Sequence, residues 1–209
     1  MKRLSHFYRL EPGAEPAAAP LLLLHGTGGD EHDLVPLGRQ LAPGATLLSP
    51  RGNVSERGAP RFFARLAEGV FDPAEIERRT HELADFIQAA AAEHGLDLAR
   101  LRALGFSNGA NVAATLLLLR PETLAGAALL RPMVVLEPPR LPDLRAKRVL
   151  VCSGAHDPIV PPDHPARLAG IFRAAGAQVD LHEQVASHQL VRADLDAARA
   201  WLRDIPGRA

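Results

Sequence analysis

RLRALGFSNGANVAATLLLLRP, residues 100–121, holds a strand, a turn and a helix in succession. Arg100–Leu104 is short and mostly apolar, which suits a buried strand. From Ser107 to Leu119 the apolar residues run too long for a strand, and Pro121 ends them, so this part reads as a helix. Between the two, GFSNG (105–109) sets one serine between two glycines. Gly-x-Ser-x-Gly between strand and helix is the turn that presents a serine hydroxyl at the edge of a sheet. Side chains at the flanking positions would meet neighbouring backbone there, which favours glycine. The serine also sits at a helix N-terminus, where the dipole favours negative charge. An inert turn serine is the competing reading of the pentapeptide alone.

The surroundings repeat the strand–helix alternation. Pro20–Leu24 is a continuous apolar run feeding His25-Gly26, and Ala45–Leu48 is a second, stopped by Ser49-Pro50. The Pro/Ala stretch Pro12–Pro20 reads as a surface turn between strands. Arg51–Phe63 is too polar and too rich in Gly and Pro to predict an element. Asp72-Pro73-Ala74-Glu75 predicts a helix start with a capping box, and the helix keeps its period to about His94, where Gly95 stops it. Strands follow at Gly126–Leu130, Arg148–Ser153 and Gln178–Glu183, with helices at Pro165–Ala175 and Leu190–Leu202. This order predicts an α/β fold: a mostly parallel sheet with helices on both faces. Ligands of such sheets bind at the carboxyl ends of the strands. The residues to watch are therefore His25-Gly26-Thr27, Ser107, Arg131-Pro132-Met133, His156-Asp157 and His188.

Length and composition bound the rest. At 209 residues with 47% hydrophobic content, the chain suits a single domain over 1–209. A formal net charge of zero gives no general attraction to nucleic acid or to an anionic membrane. The lone Cys152 permits no internal disulfide, which points to a reducing compartment. The N-terminus lacks an apolar segment long enough for a signal peptide, and no apolar run approaches a membrane span. The expectation is a cytoplasmic protein without membrane association.

A serine nucleophile needs a histidine base, and the base needs a carboxylate to orient it. In this arrangement the chain order is Ser, acid, His. Asp157 in SGAHDPIVP and His188 in VASHQL both follow strands and complete the order after Ser107. Asp143 and Glu137 lie in a Pro-rich connection, Asp163 begins a helix and His182 lies inside a strand, so each fits less well. The oxyanion needs backbone donors. The amide of Asn108, directly after the serine, is one, and the amide of Thr27 in HGTGG is assigned as the other.

LLLLHGTGGDEHDL, GFSNGA, SGAHDPIVP and SHQL together resemble the phospholipase/carboxylesterase family of α/β-hydrolases, small lidless serine hydrolases that include acyl-protein thioesterases. SPRGNVSERGAPRFFARLAEGVFD is similar to a bacterial branch of carboxylesterases, some associated with hydroquinone resistance. The resemblance spans nearly the whole chain and implies a serine esterase with Ser107, Asp157 and His188 as its triad. It implies no cofactor, a small ester as substrate, and a homodimer as a candidate assembly. Asn108 stands where many relatives have Gln, and either residue supplies the same backbone amide.

Other residues have competing readings. His25 reads as a loop anchor, and its neighbours Asp30, His32 and Asp33 match no metal-ligand spacing. Cys152 reads as a small buried hydrophobe. Phe62 and Phe63 are either core plugs or the wall of an acyl pocket. Arg51, Arg57, Arg61 and Arg65 read as a solvated face, with attraction of an anionic substrate, Arg61 included, as the alternative. Met133 and Ile159, just past strand ends, are expected to line the pocket. Arg131 to Lys147 is too short for a lid domain, which predicts an open site. A thioesterase would use the same triad, whereas a non-catalytic binding protein of this fold would usually have a damaged one.

Overall fold

A computed structural model describes residues 4–203; the ends of the expected single domain, 1–3 and 204–209, lie outside the described residues. The strands are β1 (Tyr8–Glu11), β2 (Leu21–Leu24), β3 (Leu47–Pro50), β4 (Val54–Glu56), β5 (Ala59–Arg61), β6 (Arg102–Phe106), β7 (Gly126–Leu130), β8 (Arg148–Gly154) and β9 (Gln178–Gln184). The α-helices are α1 (Val35–Leu41), α2 (Pro73–His94), α3 (Asn108–Leu119), α4 (His164–Ala174) and α5 (Arg192–Arg203). Seven strands form one sheet in the order β1-β3-β2-β6-β7-β8-β9, parallel throughout except for the antiparallel edge strand β1.

The four leucines of β2 explain how this sheet is buried. All four are within 1% of fully buried. Alternate side chains of a strand point to opposite faces. Leu22 and Leu24 join the core beneath α2, α3 and α4, while Leu21 and Leu23 join the one beneath α1 and α5. The neighbouring strands divide in the same way, with Ala127 and Leu129 on one side and Ala128 and Leu130 on the other. Both sheet faces are covered, which is why these strands read as unbroken apolar runs and not as alternating ones.

Most elements fall where the sequence puts them, with three differences. The sequence pattern assigns no element between Gly29 and Ala45, and there Val35–Leu41 forms the short helix α1, opened by Pro36 at its start. Arg51–Phe63, expected to be irregular, contains the hairpin β4–β5. Its two turn residues, Arg57 and Gly58, have φ of 51° and 85°, the left-handed pair that a tight two-residue hairpin requires. An arginine at the first of these positions hides the turn from a search for Asn-Gly or Asp-Gly. At the start of α2, Asp72 Oδ1 accepts from the Ala74 amide at 3.0 Å, as a cap should. Glu75 does not close a capping box; its carboxylate is engaged by Arg78 and Arg79.

His6 gives the fold a measurable pH dependence. Its ring lies 4.9 Å from that of Phe86, and burial pushes its pKa from 6.5 down to about 4, partly opposed by Glu82. Above pH 6.5 neither state binds the proton; between there and about 4 only the unfolded chain does, so stability falls as pH falls. The loss by pH 5 is about 2 kcal/mol. Urea unfolding of His6→Gln at neutral pH and at pH 5 should show a pH-dependent loss smaller than wild type by about that amount. Equal losses would contradict the assignment.

Among the described residues, no helix is long and apolar enough to cross a membrane.

Candidate active site

The site begins at the turn between β6 and α3. Strand β6 runs to Phe106, two residues beyond its expected end, and the helix starts at Asn108, which leaves Ser107 alone between them. Ser107 has φ 51° and ψ −115°, outside the usual regions for an L-residue. Such backbone strain persists only where the surroundings over-determine it. Here the Ser107 amide donates to the Leu130 carbonyl at 2.9 Å, and its own carbonyl accepts from Asn111. The flanking glycines are required by space. A Cβ on Gly105 would stand 2.5 Å from the Gly109 carbonyl oxygen, and one on Gly109 would stand 1.9 Å from that of Leu24. Gly109→Ala is therefore expected to yield little folded protein, as judged by soluble expression and circular dichroism. A folded variant with the wild-type melting temperature would contradict this packing.

Three side chains from separate loops meet at the carboxyl edge of the sheet. His188 Nε2 lies 2.9 Å from Ser107 Oγ, and His188 Nδ1 lies 2.7 Å from Asp157 Oδ2. A carboxylate facing Nδ1 assigns the proton of the neutral ring to that nitrogen, leaving Nε2 to accept from the serine hydroxyl. The other oxygen of Asp157 accepts from the amides of Ile159 and Val160 at 2.8 and 3.1 Å. One carboxylate thus caps its own turn and orients the histidine. Its side chain is 2% exposed and that of His188 17%, so the acid is shielded while the base remains reachable. The Phe106 ring lies 5.4 Å from the imidazole.

The loop after β2 is braced against this centre. His25 Nδ1–H donates to the Gly26 carbonyl, and Nε2 accepts from the Gly52 amide at 2.9 Å. Both ring nitrogens are thereby used in anchoring, and burial lowers the ring's pKa. The Gly28 amide donates to Pro60 in the hairpin, and Arg61 Nη1 donates to Thr27 Oγ1 at 2.6 Å. Among the described residues the Thr27 amide has no protein acceptor. As the first helical residue, Asn108 has no intrahelical acceptor for its amide. Asn108 Oδ1 also accepts from the Phe62 amide, joining the elbow to the end of the hairpin.

A cavity of about 370 Å³ opens onto Ser107 and His188, and Thr27, Arg61, Phe71, Phe106, Met133 and Ile159 contribute to its wall. Met133 and Ile159 are where the sequence reading puts them. Phe62 and Phe63 are not on this wall: they are 2% and 0% exposed and belong to the core, with Phe62 against His25. The aromatic side of the cavity comes from Phe71 and Phe106, which the sequence reading did not single out. Phe106 is the second residue of GFSNG, so its place beside the serine was available from the motif. Arg61 is not part of a solvated face. It is 4% exposed, donates to the Phe63 carbonyl and sits near Glu56, which also pairs with Arg65. Arg51 pairs with Glu31 outside this cavity. Residues 131–147 form no helix over the site. Cys152 is fully buried in β8, with its pKa pushed up to about 12, away from any thiolate role. A second cavity, about 210 Å³, lies at the opposite, amino end of the strands beside Arg102, Arg148 and Trp201.

The chain is similar to known proteins. Residues 6–205 match the model of the Phospholipase/Carboxylesterase family. The chain is 45% identical over 184 residues to MhqD of Bacillus subtilis (strain 168), described no further than as a hydrolase, covering 88% of this chain and 92% of that one. The Bacillus cereus carboxylesterase has a crystal structure that superposes with a TM-score of 0.92 at 40% identity, over 95% of this chain and 93% of the other. A carboxylesterase from Mesorhizobium loti superposes at 0.88 with 37% identity, over 97% and 96%. The described strands and helices have the α/β-hydrolase arrangement, and the chain belongs to the phospholipase/carboxylesterase family of hydrolases.

Proposed function

We propose that this hydrolase is a serine carboxylesterase that cleaves small or medium acyl esters through an acyl-enzyme on Ser107. The observation that supports the reading is the continuous hydrogen-bonded chain from Ser107 through His188 to Asp157. His188 Nε2 takes the hydroxyl proton as Ser107 Oγ attacks the ester carbonyl. The carbonyl oxygen gains negative charge, and the amides of Thr27 and Asn108 receive it. Asp157 holds the imidazole in the accepting tautomer and stabilises the imidazolium. His188 returns the proton to the departing alcohol, and the C–O bond of the ester breaks. Water then enters, loses a proton to His188 and attacks the acyl carbonyl; the acid leaves as its bond to Ser107 Oγ breaks and His188 returns the proton to that oxygen.

The cavity supports the choice of substrate class. Its walls are apolar at Phe71, Phe106, Met133 and Ile159, and at about 370 Å³ it suits a compact acyl or aryl group better than a long chain. A panel of p-nitrophenyl esters of increasing acyl length should give the highest kcat/KM at short or medium chains. Matched thioesters in the same assay separate an esterase from a thioesterase. Absence of turnover on every ester and thioester would contradict the proposal.

A further inference from the structure

Arg131 is a large side chain with no part in the chemistry proposed above, yet it is 1% exposed and lies directly after β7. Its backbone has φ 57°, a left-handed conformation that costs energy for any residue but glycine. What surrounds it accounts for that conformation. Its amide donates to the Cys152 carbonyl at 2.8 Å. Its guanidinium makes a two-pronged ion pair with Asp194 of α5, Nη1 to Oδ1 at 3.0 Å and Nη2 to Oδ2 at 2.7 Å, and both side chains are fully buried. Nη1 also donates to the Cys152 carbonyl at 3.3 Å, and the other two donors go to the histidine loop. Nε donates to the Ser187 carbonyl at 3.0 Å and Nη2 to the Gln189 carbonyl at 2.9 Å.

These two carbonyls flank His188. The loop 185–191 forms neither helix nor strand, so besides the backbone bond from the His156 amide to the Ala186 carbonyl its position depends on side chains. Asp194 adds a tie of its own, with Oδ2 accepting from the Val191 amide at 2.9 Å. On the other side, the carbonyl that receives the Ser107 amide is that of Leu130, the residue immediately before Arg131. One short stretch of chain therefore touches the backbone of the serine and the backbone on both sides of the histidine. The planar fork of a guanidinium suits this task, since it can meet a carboxylate and two carbonyls in fixed directions.

We propose that Arg131, neutralised by Asp194, is a positioning residue that sets the separation between Ser107 Oγ and His188 Nε2. This rests on the serine-hydrolase reading. Removing either partner alone leaves a buried charge, whereas replacing both by apolar groups avoids that penalty. The informative variant is accordingly Arg131→Met with Asp194→Leu. A second variant, Arg131→Lys, keeps the charge but loses the fork.

Both variants and wild type are compared by thermal unfolding, by kcat and KM on one p-nitrophenyl ester well below each melting temperature, and by the rate of fluorophosphonate labelling. Rates are expressed per folded molecule. The double variant should lose about 100-fold in kcat and in labelling rate, and Arg131→Lys about 10-fold, with KM within about twofold, because misplacing a reacting group by about 1 Å has this effect. A merely structural role would lower the melting temperature and leave kcat per folded molecule unchanged. If either folded variant keeps kcat and labelling within about twofold of wild type, the proposal is overturned. If wild type itself neither labels nor turns over, the hydrolase reading has failed and this proposal with it.

Discussion

Ser107→Ala is expected to lower kcat/KM on the best ester by a factor on the order of 10⁴ to 10⁶ without unfolding the protein. The substitution removes one oxygen atom. It leaves the glycines of the turn, the Ser107 amide bond to Leu130 and the Asp157–His188 pair in place. Alanine at φ 51° is no better accommodated than serine, so the strain of the turn is unchanged. Residual activity would reflect the remaining amides and the cavity acting on bound water. KM measured on the residual rate should stay close to wild type, because the hydroxyl binds little of the ground-state ester. Steady-state kinetics over the ester panel, with circular dichroism to verify folding, provides the check. Turnover at the wild-type rate would remove Ser107 from the reaction.

The second large effect is expected at Asp157→Asn, a loss in kcat on the order of 10³ to 10⁴ with little change in KM. The reason is the direction of one proton. Asparagine can keep its carbonyl oxygen on the amides of Ile159 and Val160, so the turn is preserved. It then offers an NH₂ group to His188 Nδ1 where the carboxylate accepted. The ring must carry its proton on Nε2, which now points a donor at Ser107 Oγ where an acceptor is needed. Fluorophosphonate labelling should slow in parallel with kcat, because both depend on deprotonating the same hydroxyl. A variant that labels and turns over at wild-type speed would show that another group orients the imidazole.

The parts legible in the sequence are those in which local chemistry and global position agree. Pro73 and Gly95 bound α2 as their backbone preferences require, and β2 is recognisable because burial of both faces demands an unbroken apolar run. The order of Ser107, Asp157 and His188 was readable because each follows a strand, and parallel strands deliver their carboxyl ends to one edge. For Arg61 and Phe62 the sequence left two readings open, for a common reason. A polar, glycine-bearing segment reads as surface, but the β4–β5 hairpin folds its far end inward, placing Phe62 on His25 and Arg61 on Thr27. Nothing in the spacing of residues 51–63 reports that contact, since its partners lie in the loop after β2. Arg131 was among the residues to watch but received no role. It stands after a strand, where functional groups gather, but its partner Asp194 is 63 positions away on a helix that shows no sign of pairing with it.

The central claim is that Ser107 carries the acyl group. It is tested most directly by reacting the wild-type protein with a fluorophosphonate and mapping the adduct by peptide mass spectrometry while following ester hydrolysis. The account predicts a single adduct on Ser107, with hydrolysis lost in proportion to its occupancy. An adduct on a different residue, or full hydrolysis with Ser107 fully modified, would contradict it.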